Sequence, residues 1–142
     1  MQRQLASVPP LQPLRVELGG CVCCCYRGQL WLEAATPPPP RPLRWRGETE
    51  LPWCGALLRC EASVGEGLRL DRVQAAALVM VRGRWPGLSM RLAAGRPQRS
   101  FRKLCQDAGV PPWLRERLPV LMADGEAVWI AGIGVAAAWQ CE

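Results

Sequence analysis

The sequence predicts an α+β protein of two small lobes, a mainly β N-terminal lobe and a C-terminal lobe of a small sheet with one or two short helices. Short apolar runs bounded by glycine or proline recur along the chain, which is typical of strands and turns. A helical spacing of apolar residues occurs mainly after Ser100. The 142 residues, 49% apolar and 21% charged, have a globular balance and can bury a core.

The N-terminal lobe is predicted to occupy residues 1–72 and to begin with three strands. Leu14 to Leu18 alternates between apolar and polar residues, as a half-buried strand does. Val22 to Tyr26 and Leu30 to Glu33 lie on either side of a turn at Arg27-Gly28. These segments give the lobe its predicted β character.

The rest of this lobe is less regular. Residues 37–42 contain five prolines and predict an extended spacer or a surface strap. Leu57 to Ala62 predicts one more strand. The loop Val64 to Gly67 is rich in glycine but lacks the spacing and the lysine of a phosphate-binding loop, so it indicates a plain turn.

The C-terminal lobe is predicted to occupy residues 73–142, with strands before and after its helical part. A turn at Pro86-Gly87 follows the first strand, and the turn Asp124-Gly125 joins two strands into a hairpin. The last segment continues as another strand or a bulged edge. The four segments are Leu78 to Val81, Val120 to Ala123, Ala127 to Ile130 and Gly132 to Ala136.

A helix is predicted between Ser100, a natural N-cap, and Gly109, a natural C-terminal stop. Its apolar residues recur at intervals of three and four, so we expect Arg102 and Lys103 to point outward or to flank the apolar face. The apolar positions are Phe101, Leu104, Cys105 and Ala108.

A second short helix is predicted to begin at Pro111 or Pro112 and to end at Pro119. Within it we expect Trp113 and Leu114 to be buried, with two arginines at the polar edge. Because Trp113 stands between a proline and a leucine, a core position is favoured over stacking on a nucleic-acid base. The two arginines are Arg115 and Arg117.

The excess positive charge of this chain lies in residues 82–117, called here the basic segment. The formal net charge of the chain is +6, and the basic segment alone has nine basic and two acidic residues, a net +7. Such a concentration is typical of a phosphate-binding surface; an ordinary solvated basic face is the alternative. The candidate nucleic-acid-binding residues are Arg82, Arg84, Arg99, Arg102, Lys103, Arg115 and Arg117.

Four of the eight cysteines stand in the run Cys21-Val22-Cys23-Cys24-Cys25. A zinc site is one interpretation, but the chain has no histidine and the remaining cysteines stand singly. Neighbouring side chains of a strand point to opposite faces, which opposes their convergence on one ion. We therefore expect no metal site and no redox site, and cysteines that pack as small apolar residues.

The sequence indicates no targeting or membrane segment. The longest apolar runs, such as Ala75 to Val81 and Ala127 to Ala138, are too short or contain glycine. The first residues, Met1 to Leu5, are followed by Pro9 and Pro10 and lack the apolar core of a signal peptide. We therefore expect a cytoplasmic protein.

Several segments of the C-terminal lobe occur in an order that is specific to one family. They are Val81-Arg82, Ser100 to Leu104, Asp107-Ala108, Gly109 to Leu121, Asp124 to Glu126 and Val128 to Val135. In this order they resemble the C-terminal domain of tRNA(Ile)-lysidine synthase. Residues 14–70, with Tyr26 to Leu32, more loosely resemble the C-terminal part of the family's middle, substrate-binding domain.

The resemblance implies a bacterial, ATP-dependent ligase that joins lysine to C2 of the wobble cytidine of tRNA(Ile) and changes the codon read from AUG to AUA. It implies that this ligation takes place in an N-terminal nucleotide-binding domain that has a Ser-Gly-Gly-x-Asp-Ser loop. ATP with Mg, and lysine, are implied for the full-length enzyme. Here the only Gly-Gly is Gly19-Gly20, between Leu18 and Cys21. We therefore expect a C-terminal portion with no catalytic residues and no cofactor of its own, inactive alone.

The resemblance also implies the partners. The C-terminal domain is expected to hold the body of tRNA(Ile), chiefly its acceptor end, beside the catalytic domain of the same enzyme; a homodimer is left open. Cys23 to Cys25 stand where the family tends to carry basic residues, so a tRNA contact there is in doubt. Two alternatives are a structural docking lobe without RNA affinity and a cysteine-based metal module.

Overall fold

A computed structural model of the chain describes residues 14–18, 21–34, 39–63 and 65–141. The chain divides into two compact units, Met1–Pro38 and Pro39–Glu142. Short helices and several small antiparallel sheets make up these units, which confirms the predicted α+β class.

The first unit contains a three-stranded antiparallel sheet in the order β1-β2-β3. Its strands are β1 (Leu14–Leu18), β2 (Cys21–Tyr26) and β3 (Gln29–Ala34), as predicted to within a residue. The turn between β2 and β3 places Arg27 and Gly28 at φ angles of 51° and 76°. Two successive left-handed residues suit a tight hairpin, because their twist matches that of the strands.

The second unit is built around a five-stranded antiparallel sheet, whose strands lie in the order β12-β11-β10-β7-β4. It also contains two two-stranded antiparallel sheets, β5-β6 and β8-β9. Its elements in chain order are β4 (Leu43–Arg44), β5 (Glu50–Trp53), β6 (Ala56–Arg59), α1 (Leu70–Ala75), β7 (Val79–Arg82), β8 (Ser89–Met90), β9 (Arg99–Ser100), α2 (Phe101–Ala108), α3 (Pro112–Arg115), β10 (Val120–Ala123), β11 (Glu126–Ile130), β12 (Gly134–Val135) and a 3₁₀ turn (Ala137–Trp139).

The predicted hairpin of this unit is confirmed. Asp124 and Gly125 lie between β10 and β11 at φ angles of 50° and 85°, so the Asp-Gly pair forms the left-handed turn for which it was singled out. A register shift between Leu121 and Met122 adds a bulge. The carboxylate of Asp124 also accepts hydrogen bonds from the backbone N–H groups of Ala77 and Leu78, which ties the turn to the start of β7.

The helix α2 has the predicted caps and the predicted buried face. The backbone N–H of Lys103 donates to Ser100 Oγ at 3.3 Å, and Gly109 adopts a left-handed φ of 74° at the C-terminal end. Three of the four predicted apolar positions are buried, whereas Ala108 is exposed. The three are Phe101, Leu104 and Cys105.

The second predicted helix is shorter than expected. It begins at Pro112 but ends at Arg115 and not at Pro119, because the next backbone bonds, from Arg117 to Leu114 O and from Leu118 to Arg115 O, span only three residues. In so short a helix Trp113 and Leu114 are half-buried, so the burial predicted for these two side chains is confirmed only in part.

Other local predictions need smaller corrections. The strand expected at Leu57 to Ala62 is Ala56–Arg59, since a turn at Cys54 and Gly55, with φ angles of 47° and 81°, pairs Ala56 with Trp53. The strands β4, β5, β8 and β9 and the helix α1 were not predicted. Most are two to four residues long, too short for an alternation of residue types to indicate them.

The structure divides the chain elsewhere than at residues 72–73. Residues 39–72 pack with the C-terminal part: Leu43 pairs with Val81, and Leu51 and Trp53 are 6% and 5% exposed within the common core. Trp53 Nε1 also donates to the carbonyl oxygen of Arg117 at 2.6 Å. The assignment of residues 1–72 and 73–142 to the family's middle and C-terminal domains is untested by this packing and stays a prediction.

Candidate nucleic-acid interface

The outer side of α2 carries two of the candidate cations. Because Phe101, Leu104 and Cys105 face the core, Arg102 and Lys103 are exposed, as predicted. The ammonium Nζ of Lys103 lies 3.1 Å from Asp107 Oδ1, one helical turn along. Among the described residues, no hydrogen bond or ion pair engages the Arg102 guanidinium, which leaves it available to an anion.

Arg84 and Arg102 meet around a surface depression at the start of α2, called here the Arg84 hollow. It has a volume of about 230 Å³. It is lined by Arg84, Arg102, Ser89 and Ser100, together with Trp85, Leu88 and Phe101. The Arg84 guanidinium carbon lies 4.8 Å from the centroid of the Phe101 ring, and its Nη1 lies 3.7 Å from Glu116 Oε1.

Arg82 lies at the end of β7, close to this hollow in sequence and directed to one of its lining residues. Its Nε donates to the carbonyl oxygen of Gly83 at 3.3 Å, and its guanidinium carbon is 5.0 Å from the centroid of the Trp85 ring. The chain after β7 packs closely on the segment after α3, since a Cβ added at Gly83 would lie 3.2 Å from the carbonyl oxygen of Glu116.

The Arg115 side chain is held by a hydrogen bond to the backbone. Its Nε donates to the carbonyl oxygen of Val110 at 3.1 Å, which anchors the half-buried side chain to the turn after α2. Burial raises the pKa of the Cys105 thiol, and the charges of Arg115 and Arg84 act in the opposite direction. The charges of both guanidinium groups therefore act on the same buried thiol.

Arg99 belongs to a second depression, the Arg99 hollow, of about 260 Å³. Arg96 and Asp107 contribute its other charged groups, and Leu104 and Met90 part of its apolar lining. Because Lys103 pairs with Asp107, this hollow adjoins the exposed side of α2. Arg96 was counted in the basic segment but was not singled out as a site residue.

Arg117 is not among the residues that line either hollow. Its carbonyl oxygen accepts the hydrogen bond from Trp53 Nε1. Burial raises the pKa of the Cys54 thiol, and the charge of Arg117 acts in the opposite direction. Both residues belong to the β5-β6 hairpin region, so Arg117 lies toward that hairpin. The structure therefore places Arg84 and Arg102 on one hollow, with Arg82 against its Trp85, and Arg99 on the other hollow, whose Asp107 pairs with Lys103. Arg115 and Arg117 line neither hollow. The role of all these cations in binding stays a prediction.

Sequence reasoning missed the polar lining of the Arg84 hollow. Ser89 was not considered, and Ser100 was identified only as a helix cap. The two serines come together because β8 pairs with β9, with Ser89 opposite Ser100. Two strands of two residues each leave no periodic signal, so no sequence pattern could have indicated this pairing.

The described ranges contain no group of three or more cysteine, aspartate or glutamate residues placed to hold a metal ion. The side chains of Cys21 to Cys25 lie outside what the structure describes, so the expectation for this run stays a prediction. In the part of the chain that the structure describes, none of the helices has the length and apolar character needed to cross a bilayer.

Comparison with known proteins links this architecture to one family. The TilS substrate C-terminal domain matches residues 79–142. The chain is 50% identical to the tRNA(Ile)-lysidine synthase of Aromatoleum aromaticum over 130 residues, which are 91% of this chain and 31% of that protein. It is 49% identical to that of Azoarcus sp. over 140 residues, 98% of this chain and 30% of that protein. The chain thus spans less than a third of the length of these relatives.

Proposed function

This chain belongs to the tRNA(Ile)-lysidine synthase family, and from that premise we propose that it holds tRNA(Ile) for a lysidine-forming ligase. The observation that carries the proposal is the net charge of +7 of the basic segment, which includes α2 with its exposed Arg102 and Lys103. The resemblance to the family's C-terminal domain covers the same residues.

The arrangement suits contacts with the nucleic-acid backbone. Arginine and lysine side chains neutralise phosphates and fix the position of a duplex, whereas sequence is read at base edges. In A-form RNA the major groove is too deep and narrow for side chains, so a stem is recognised by its shape and its backbone. Arg102 and Lys103 project from a helix with a firmly buried opposite face, which makes them a rigid support for such contacts.

The chemistry of the proposed ligase is assigned to residues outside this chain. In the whole enzyme, ATP would activate the wobble cytidine so that lysine can be joined to its C2. ATP with Mg does not fit the described residues, because they contain no cluster of carboxylates for a cation, and the sequence has no Ser-Gly-Gly-x-Asp-Ser loop. The role of this chain is to bind and to orient the substrate.

Lys103→Ala tests the proposed interface. We expect tRNA affinity to fall by about three- to tenfold at low salt, and the slope of log Kd against log salt to decrease by about one, because one phosphate contact is lost. Filter binding of purified chain to tRNA(Ile) between low and physiological salt gives both quantities. Arg59→Ala is the matched control, since Arg59 is an exposed arginine that pairs only weakly, at 3.6 Å, with Glu50 on the β5-β6 hairpin.

Equal losses in the two variants would remove α2 from the interface. A wild-type chain that does not bind tRNA, but does bind a separately produced catalytic domain, would instead establish the docking lobe. Inactivity of the isolated chain in lysidine formation is expected under either function.

A further inference from the structure

We propose that the Arg84 hollow is a subsite for a single nucleotide, taking its phosphate on the polar rim and its ribose on the apolar wall. The inference rests on the proposed tRNA-holding function and specifies where one nucleotide of the substrate docks. Three observations support it: the hydrogen-bond donors among the lining residues, the ring contact of the Arg84 guanidinium and the contrast with the Arg99 hollow.

Four residues that line the Arg84 hollow have side chains that can donate hydrogen bonds to an anion. They are Arg84, Arg102, Ser89 and Ser100. No carboxylate is among the residues that line this hollow, and Glu116, whose Oε1 lies 3.7 Å from Arg84 Nη1, is outside the lining. Phosphate oxygens accept hydrogen bonds and carry negative charge, so this lining matches a phosphate group and opposes a cation.

The serine hydroxyls are oriented by bonds that they already accept. Ser89 Oγ accepts from Gln98 Nε2 at 2.8 Å, and Ser100 Oγ accepts from the backbone N–H of Lys103 at 3.3 Å. Each hydroxyl keeps its own proton for donation. Across the described ranges neither proton has an acceptor, so both are available to a ligand oxygen.

The Arg84 guanidinium is held in place before any ligand arrives. Its carbon Cζ lies over the Phe101 ring, 4.8 Å from the centroid, and its Nη1 lies 3.7 Å from Glu116 Oε1. A cation stacked on a ring loses less conformational freedom when it binds an anion. Arg102 has no such restraint, so it can close over the bound phosphate.

The apolar wall and the size of the hollow limit what fits. The apolar residues among its lining are Trp85, which is half-buried, and Leu88 and Phe101, which are almost fully buried. A volume of about 230 Å³ lies below the roughly 300–1,000 Å³ of pockets that enclose a whole drug-sized ligand. One phosphate with its sugar, projecting from a longer strand, is a better match than a free cofactor.

The Arg99 hollow lacks this character. Asp107 lines it and already neutralises Lys103 at 3.1 Å, and a carboxylate in the lining repels phosphate. Arg96 and Arg99 can still contribute general attraction for a polyanion. The specific subsite is therefore assigned to the Arg84 hollow.

Titration with small probes, followed by ¹H–¹⁵N NMR on the whole chain, tests the subsite directly. Adenosine 5′-monophosphate is expected to shift the amides of Ser89, Ser100 and Arg102 and the indole N–H of Trp85 in a saturable way. Inorganic phosphate is expected to shift the same amides more weakly, and adenosine without phosphate to leave them unchanged. Adenosine 5′-monophosphate shifts centred on Arg96 and Arg99, or shifts spread over all exposed arginines, would overturn the assignment.

Binding of tRNA(Ile) distinguishes the polymer from a free nucleotide. Arg102→Ala is expected to weaken tRNA binding by about tenfold, the effect of one charge-assisted hydrogen-bonded pair. Ser89→Ala is expected to weaken it by about threefold with an unchanged salt slope, since it removes a donor but no charge. Arg59→Ala removes an exposed arginine on the β5-β6 hairpin, outside the basic segment, and should cost at most about twofold.

The possible results separate the subsite from the proposed function. If Arg59→Ala and Arg102→Ala weaken tRNA binding equally, and Ser89→Ala has no effect, tRNA binding stands and the subsite is refuted. If the wild-type chain does not bind tRNA, the proposed function is refuted, and the NMR titration then decides whether the hollow takes a free nucleotide. Selective loss in Arg102→Ala and Ser89→Ala supports both.

Discussion

Cys105 illustrates how the surroundings of one side chain set its chemistry. It is fully buried, and this burial raises the pKa of its thiol from 9.0 despite the nearby charges of Arg115 and Arg84. Only the thiolate is nucleophilic, so a thiol with a raised pKa is less reactive at any pH below it. Cys60 has a raised pKa as well, but its side chain is exposed and can be reached by reagents.

We expect Cys60 to be alkylated by iodoacetamide at pH 8 well before Cys105, by a factor of about ten or more, because Cys105 reacts only when its surroundings open. Mass spectrometry of proteolytic peptides after timed labelling measures both rates. In urea at a concentration that unfolds the chain the two rates should become similar, which serves as the control. Equal rates under native conditions would contradict the burial of Cys105.

At the scale of single elements, α2 was predictable because its signals are local. The N-cap at Ser100, the apolar residues of the buried face and the left-handed Gly109 all lie within ten residues of sequence, so a local pattern is enough to indicate the helix. The pairs β4-β7 and β8-β9 were not predictable, because their partners lie far away in sequence or on very short strands. The Gln140 amide likewise joins segments that are far apart in sequence, since it donates to Leu92 O at 2.5 Å and to Val135 O at 2.9 Å.

Ser100→Ala is expected to destabilise the second unit by about 1 kcal/mol, since the backbone N–H of Lys103 loses its capping acceptor. Ser100→Asp keeps an acceptor and should restore most of this loss. Urea unfolding followed by circular dichroism measures the free energy of unfolding of each variant. Ser63→Ala, on an exposed loop, is the matched control and should change stability by less than about 0.5 kcal/mol. Equal effects of Ser63→Ala and Ser100→Ala would contradict the cap.

At the scale of the whole molecule, the second unit is larger than the C-terminal lobe that the sequence predicts. Residues 39–72 supply an edge strand and two buried core side chains. The end of this segment is joined to the C-terminal residues by two backbone hydrogen bonds. The N–H of Arg69 donates to Trp139 O at 2.8 Å, and the N–H of Cys141 donates to Gly67 O at 2.9 Å. Arg72 adds a hydrogen bond to the carbonyl of Ala138, and its guanidinium carbon lies 4.3 Å from the centroid of the Trp139 ring.

Truncation tests this organisation. A chain of residues 39–142 should unfold cooperatively, whereas residues 73–142 should lose much of their stability, because Leu51 alone contributes about 1.5–3 kcal/mol by burial and domains are stable by only about 5–15 kcal/mol. Urea unfolding with near-ultraviolet circular dichroism compares the two. The same midpoint and cooperativity in both would show that residues 39–72 are dispensable and that the boundary predicted from sequence is correct for folding.

The sequence by itself determined the α+β class, the helix α2, the two Gly-containing hairpin turns, the concentration of positive charge and the family resemblance. Each of these depends on residues close together in the chain or on their order. Only the tertiary structure decided which cations meet, which serines join them and where the second unit begins. Those features depend on contacts such as that of Trp53 with Arg117, 64 residues apart, and no local pattern encodes a pairing over such a distance.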